Sequence, residues 1–252
     1  MRRTLAVVIV GLLAACGGGG ETSGGDGGSA ATSMPAAAPL GTASISGVIS
    51  FDGTAPANPV IDMSEESACA AKYADGAVNP IVQVADGKLA NAFVRITAGL
   101  PAGPYPAPTG AAVVDQDGCL YHPRVLGVMT GQDLEIRNSD PLLHNIKAVP
   151  TANRGFNISQ PQAGMTTTRS FRVPEVMVPL ECSVHGWMNA YVGVVEHPYF
   201  ATSGSDGSFT IAGLPAGSYT LEAWHETLGT QTLQVEVADG GKAAADFTFR
   251  SN

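Results

Sequence analysis

With 252 residues, 44% of them hydrophobic and 14% charged, the chain is long enough and apolar enough to build one or two packed cores. Its formal charge of −9, from 22 acidic against 13 basic residues, comes without any Lys/Arg cluster. That balance argues against nucleic acid as a partner and favours a basic protein surface.

The N-terminus reads as an export signal. Arg2 and Arg3 precede an apolar run over 5–15, only 11 residues long. That is too short for a membrane-crossing helix, which needs ~20 residues, but it suits the hydrophobic region of a signal peptide. The run ends in Leu13-Ala14-Ala15-Cys16, which resembles the lipobox of bacterial lipoproteins. The resemblance implies removal of 1–15 and acylation of Cys16. The protein is then extracytoplasmic, periplasmic or on the cell surface, and its membrane contact is the lipid anchor at Cys16. Loss of Arg2 and Arg3 with the leader takes the charge from −9 to about −11. Residues 16–42 are rich in Gly, Ser, Ala and Thr and have too few large apolar groups to order themselves. Such a linker reaches roughly 25–30 Å.

Three cysteines remain after Cys16, an odd number for an oxidising compartment. Cys182 has neighbours at metal-ligand spacing, which leaves Cys69 and Cys119 as the expected disulfide.

From residue 44 onward the pattern is that of strands. Segments 44–51, 89–97, 125–128, 133–138, 145–149, 167–173 and 190–195 read as short strands, with turns at Asp117-Gly118, Thr130-Gly131 and Asp140-Pro141. This spacing predicts an all-β, antiparallel sandwich or barrel. One helical turn or two is expected at 64–73, and the Pro-rich stretch 99–109 reads as an extended loop.

A second unit starts near Pro198, with strands at 206–211, 218–224, 232–237 and 244–249. Its string Asp206-Gly-Ser-Phe-Thr-Ile-Ala-Gly-Leu-Pro-Ala-Gly-Ser-Tyr-Thr-Leu221 resembles the carboxypeptidase regulatory-like (transthyretin-like) β-sandwich module. Such modules are non-catalytic as a rule, and no metallopeptidase zinc motif is present. About 50 residues make a marginal core alone, so this unit should pack on the first. The segment 45–53 looks like the first strand of such a module.

The candidate chemistry lies between. Asn138-Ser-Asp-Pro-Leu-Leu-His144-Asn145 ends a strand in a turn that presents a histidine, and Cys182-Ser-Val-His185-Gly-Trp-Met188 sits on a later loop. A thiolate, two imidazoles and a thioether form the donor set of a blue-copper site. Residues 88–195 resemble the cupredoxin, or plastocyanin-like, family on these two motifs. The resemblance implies one mononuclear copper held by His144, Cys182 and His185, with Met188 as weak axial ligand. It also implies a domain spanning 43–197 with its core at 88–197, followed by the module at 198–252. The His-x-x-Met spacing is shorter than the family's usual gap. That makes Met188 the least secure ligand and Met177 a weaker alternative. A binuclear centre would need a second cysteine on the loop. Zinc could use the two His and the Cys but has no use for a thioether. Trp187 is expected to pack over the ligand loop. His122 could lie near the copper end, His197 sits at the domain joint, and His225 with Glu226 reads as an exposed turn pair.

No Ser/His/Asp set, phosphate-binding glycine loop or carboxylate pair stands out, so the chain reads as an electron-transfer or binding protein rather than an enzyme. An electron carrier working with a redox partner protein comes first. Copper sequestration or delivery, a metal-free adhesion or scaffold module, and a copper enzyme with an open position are the alternatives.

Overall fold

The computed structural model describes residues 37–251. The expected leader over 1–15, the expected acyl acceptor Cys16 and most of the expected linker lie outside the described residues. No helix among the described residues is long and apolar enough to cross a membrane.

The part that carries the candidate ligands, the ligand sandwich, is built of two sheets. One has the order Met165–Arg169, Leu134–Asn138, Ala112–Asp117, Leu120–His122; the other runs Phe156–Gln160, His144–Ala148, Glu175–Glu181, Asn189–Val195, Val125–Met129. Most ladders are antiparallel, but Leu134–Asn138 runs parallel to Ala112–Asp117, and Asn189–Val195 runs parallel to Val125–Met129. Alternation explains the core: Leu134 and Ile136 from one sheet meet Ile146, Val178, Leu180, Val192 and Val194 from the other, all fully buried.

The second sandwich does not follow the chain division at 197/198. Ala43–Asp52 pairs with Ser208–Leu214, Lys242–Ala244 and Phe247–Arg250, and Phe93–Ala98 lies between Phe200–Thr202 and Gly217–His225. Residues 198–252 alone present too little apolar surface for two packed sheets. The borrowed strands add Ile45, Ile49, Val94 and Ile96 to Ile211, Leu221 and Ala223 in a single core. Segment 45–53 therefore does complete this module, and 93–98 joins it.

The two sandwiches meet at a seam of Phe93, Val125 and Val195, with Met177, Tyr191, Phe200 and Trp224 packed around it. Gly127 and Gly193 face each other in the parallel ladder there. A Cβ on Gly193 would sit 2.5 Å from the Phe93 ring, and one on Gly127 would sit 2.7 Å from it. Only glycine lets the ring come this close to the strands.

A third, small element covers one end of the ligand sandwich. Val60–Ile61 pairs with Ala77–Val78, and between them lies the four-residue helix Ser67–Ala70, shorter than the segment 64–73 expected to be helical. Cys69 on that helix is bonded to Cys119 with Cα atoms 5.7 Å apart. This is the disulfide expected from the cysteine count. Ile61, Met63, Ala77 and the two cysteines form the cap's apolar core, and Leu142 and Trp187 pack against it.

Candidate metal centre

Two loops at the capped end bring the donors together. The first follows the strand Leu134–Asn138. Asn138 is 1% exposed, donates its side-chain N–H to the carbonyls of Leu142 and Gln160, both at 2.9 Å, and accepts from the Asp140 amide at 3.0 Å. This closes the turn through Pro141 and delivers His144 as the first residue of the next strand. The second loop joins Glu175–Glu181 to Asn189–Val195. The Cys182 amide donates to the Met188 carbonyl at 3.2 Å and the Met188 amide to the His185 carbonyl at 3.0 Å, so the loop closes on itself.

The result is a compact donor cluster. One ligand atom each of His144, Cys182 and His185 lies within 4.8 Å of the others, and the three residues are 0%, 5% and 2% exposed. His144 Nδ1 is 3.0 Å from His185 Nδ1, and Cys182 Sγ is 3.8 Å from the same His185 nitrogen. Met188 is fully buried in the same apolar cluster as Cys182. Met177 lies instead at the seam between the sandwiches.

The surroundings favour a thiolate between imidazoles. Burial alone would push the Cys182 thiol up, but the His144 imidazole and backbone N–H groups, that of His185 at 3.3 Å among them, bring it below its ordinary value. Burial also opposes charge on His144. There the Cys182 sulfur and the Asp140 carboxylate prevail and raise its pKa. His185 moves the other way, lowered by burial and then by the neighbouring His144. Two imidazoles and a low-pKa thiol, with no carboxylate among the three, fit a borderline-to-soft metal better than a hard one.

Asp140 is the functional residue that the sequence conceals, because Asp-Pro reads first as a turn. Its side chain is fully buried, and its Oδ2 accepts from His144 Nε2–H at 2.8 Å. Burial pushes this carboxyl up, yet Lys72, the Cys119 and Gly118 amides and His144 hold it below the usual carboxylate value. With its proton on Nε2, His144 has Nδ1 free to face the cluster, the arrangement typical of metal-ligating histidines. A second grouping of Cys119, Asp140 and His144 is not a separate site, since the Cys119 sulfur is spent in the disulfide.

Trp187 packs over the ligand loop as expected, with its ring centroid 5.1 Å from that of His185. The other histidines stand apart. His122 is exposed, and His197 bonds the Ile96 carbonyl at 3.0 Å beside Tyr199. His225 is buried rather than exposed, and burial together with the Arg124 charge brings its pKa down to about 4. Glu226 is locked to Arg124, Oε2 to Nη2 at 2.8 Å, which leaves no carboxylate free for a metal beside His225.

No curated protein sequence matches the chain. Among solved structures, a methionine-to-alanine mutant of amicyanin in its Cu(I) form is 21% identical, with a TM-score of 0.30, covering 33% of this chain and 81% of that one. A purple cupredoxin from Nitrosopumilus maritimus is 21% identical, with a TM-score of 0.29, covering 33% and 98%. A reduced tryptophan-to-tyrosine mutant of amicyanin, also 21% identical, has a TM-score of 0.31 and covers 40% and 97%. The family model of the carboxypeptidase regulatory-like domain matches residues 187–250. It starts inside the ligand loop and omits Ala43–Asp52 and Phe93–Ala98, the strands that complete the second sandwich. The chain is thus an all-β protein whose C-terminal part, over residues 187–250, is similar to the carboxypeptidase regulatory-like domain.

Proposed function

We propose that this chain is a lipid-anchored, extracytoplasmic copper protein that carries single electrons at one mononuclear site. The observation that carries the reading is the convergence of His144 Nδ1, His185 Nδ1 and Cys182 Sγ in a buried pocket. Copper bound there would cycle between one and two positive charges and supply one-electron chemistry. His144, Cys182 and His185 would hold it, and Met188, buried in the same cluster as Cys182, would add a weaker thioether donor. The protein's part is to hold these donors in a fixed arrangement and keep water out, so that little must move when the charge changes. Trp187, half-buried over His185, offers the route to the surface. The anchor at Cys16 and a basic redox partner complete the reading, the acidic surface speeding encounter.

Loading the purified protein with copper tests this. An intense visible thiolate-to-copper band and a matching electron paramagnetic resonance signal, both bleached reversibly by a reductant, are expected. Tight binding of cuprous ion without that band would point to sequestration or delivery. Failure to take up stoichiometric copper would leave a metal-free scaffold. Labelling with a fatty-acid analogue should acylate the exported chain and fail with Cys16→Ser.

A further inference from the structure

Both imidazoles of the centre are braced by one residue, and that residue is half of the disulfide. Asp140 Oδ2, which accepts from His144 Nε2–H, also accepts from the Cys119 amide at 2.8 Å. On the other side Trp187, packed on the His185 ring, donates its Nε1–H to the Cys119 carbonyl at 3.0 Å. Cys119 thus gives its N–H to the support of one ligand and its C=O to the support of the other. It does so in a left-handed conformation, φ 57°, which a residue with a side chain adopts only where its surroundings hold it.

The capping element supplies that hold twice. Cys69 on the short helix bonds covalently to Cys119. Lys72, one turn on, places Nζ 2.5 Å from Asp140 Oδ1, the oxygen that also accepts the Gly118 amide at 3.0 Å. A fully buried carboxylate without such partners would be an uncompensated charge.

We propose that the Cys69–Cys119 disulfide is a positioning element of the metal centre: it fixes the Cys119 backbone, which orients His144 through Asp140 and His185 through Trp187. The inference rests on the copper reading only for what the rings bind, because their orientation can be read in metal-free protein. Residues 69 and 119 lie far from the ligand loops in sequence, so this coupling exists only in the folded chain.

The test compares the Cys69→Ala/Cys119→Ala double variant, Asp140→Asn and Trp187→Phe with the unaltered protein. Histidine-ring 15N–1H spectra of the metal-free forms report which nitrogen carries the proton and how fast it exchanges. Chelator competition reports cuprous affinity. The unaltered protein should show a protected Nε2–H on His144. Asp140→Asn should disturb the His144 ring, Trp187→Phe the His185 ring, and the double variant both. Each should weaken cuprous binding by on the order of 10–100-fold, the usual cost of losing a group that orients a metal-binding side chain. A double variant that melts cooperatively with both rings and the affinity unchanged would overturn the proposal, leaving the disulfide as a staple for the cap. Should the double variant not fold, the other two decide, since both keep the disulfide: unperturbed rings in them overturn it equally. If the unaltered protein takes up no copper, the copper reading fails, and the ring spectra still decide the positioning role.

Discussion

The Ser183 amide donates to the side-chain oxygen of Asn145 across 3.1 Å, joining the loop that carries Cys182 to the strand that carries His144. The Asn145 N–H groups meanwhile reach the Ile158 carbonyl at 3.0 Å and the Asn157 side chain. The two loops that carry the candidate ligands are therefore one hydrogen-bonded unit in the metal-free protein. Asn145→Ala strips partners from the amide of the exposed Ser183 and the carbonyl of the half-buried Ile158, both in partly buried bonds. It should cost about 1–3 kcal/mol of apo-protein stability by denaturant unfolding, with weaker copper retention. An unchanged midpoint together with an unchanged affinity would show that the tie is dispensable.

Replacing His144 with Gly opens one donor position while leaving Cys182 and His185 in place. The copper colour should weaken or shift, and added imidazole should restore it by entering the gap. A spectrum indifferent to His144→Gly would mean that the upstream ligand lies elsewhere.

Cys182 is the free cysteine among the described residues. On the proposal that Cys16 is acylated, and with Cys69 joined to Cys119, denatured, unreduced apo protein should titrate one thiol per chain. Cys182→Ser should abolish both that thiol and the copper band. Copper binding that survives in Cys182→Ser would sink the ligand assignment.

Glu175 anchors the loop at 151–153 and carries a pH signature. Its carboxylate accepts from the hydroxyl of Thr151 at 2.9 Å and the amides of Ala152 and Asn153 at 3.1 and 3.0 Å. Slight burial pushes its pKa up, and the bonds from Asn153 and Thr151 outweigh this and bring it down to about 2. Because the folded value lies below the unfolded one, its contribution is complete above the ordinary carboxylate pKa of about 4.5. That contribution is lost as pH falls from there toward 2. Glu175→Gln should therefore lower Tm at pH 6, and the gap should close by pH 2. A gap that stays constant with pH would assign the effect to packing instead of charge.

Much of the site was legible because its chemistry is local. Cys182, His185 and Met188 share one turn of chain, and His144 follows the turn that closes a recognisable strand. What stayed hidden depends on distance. Asp140 carries the same Asp-Pro signature whether it merely turns the chain or holds a histidine, and only burial tells the two apart. Nothing in the short helical stretch before Lys72 announces that it reaches a carboxylate 68 residues on. Alternation exposed the strands readily, since Ile45, Ile49 and Phe51 sit on a two-residue period. Their partners were another matter. Phe93–Ala98 precedes the ligand sandwich in the chain and looks like its first strand, yet it pairs edge to edge with Gly217–His225 and buries Val94 and Ile96 in the second core. Period shows which face is buried but not against what.

The interleaving of Ala43–Asp52 with the C-terminal strands has a mechanical consequence. This strand is gripped along its length by Ser208–Leu214 on one side and by Lys242–Ala244 and Phe247–Arg250 on the other. Tension entering the fold at Ala43 must slide it past its neighbours and break many hydrogen bonds at once, not peel them singly. The ligand sandwich takes no part in these ladders. A pull at that end of the chain, where the proposed anchor at Cys16 would apply it, would load the second sandwich before it reached the loops of the candidate metal centre.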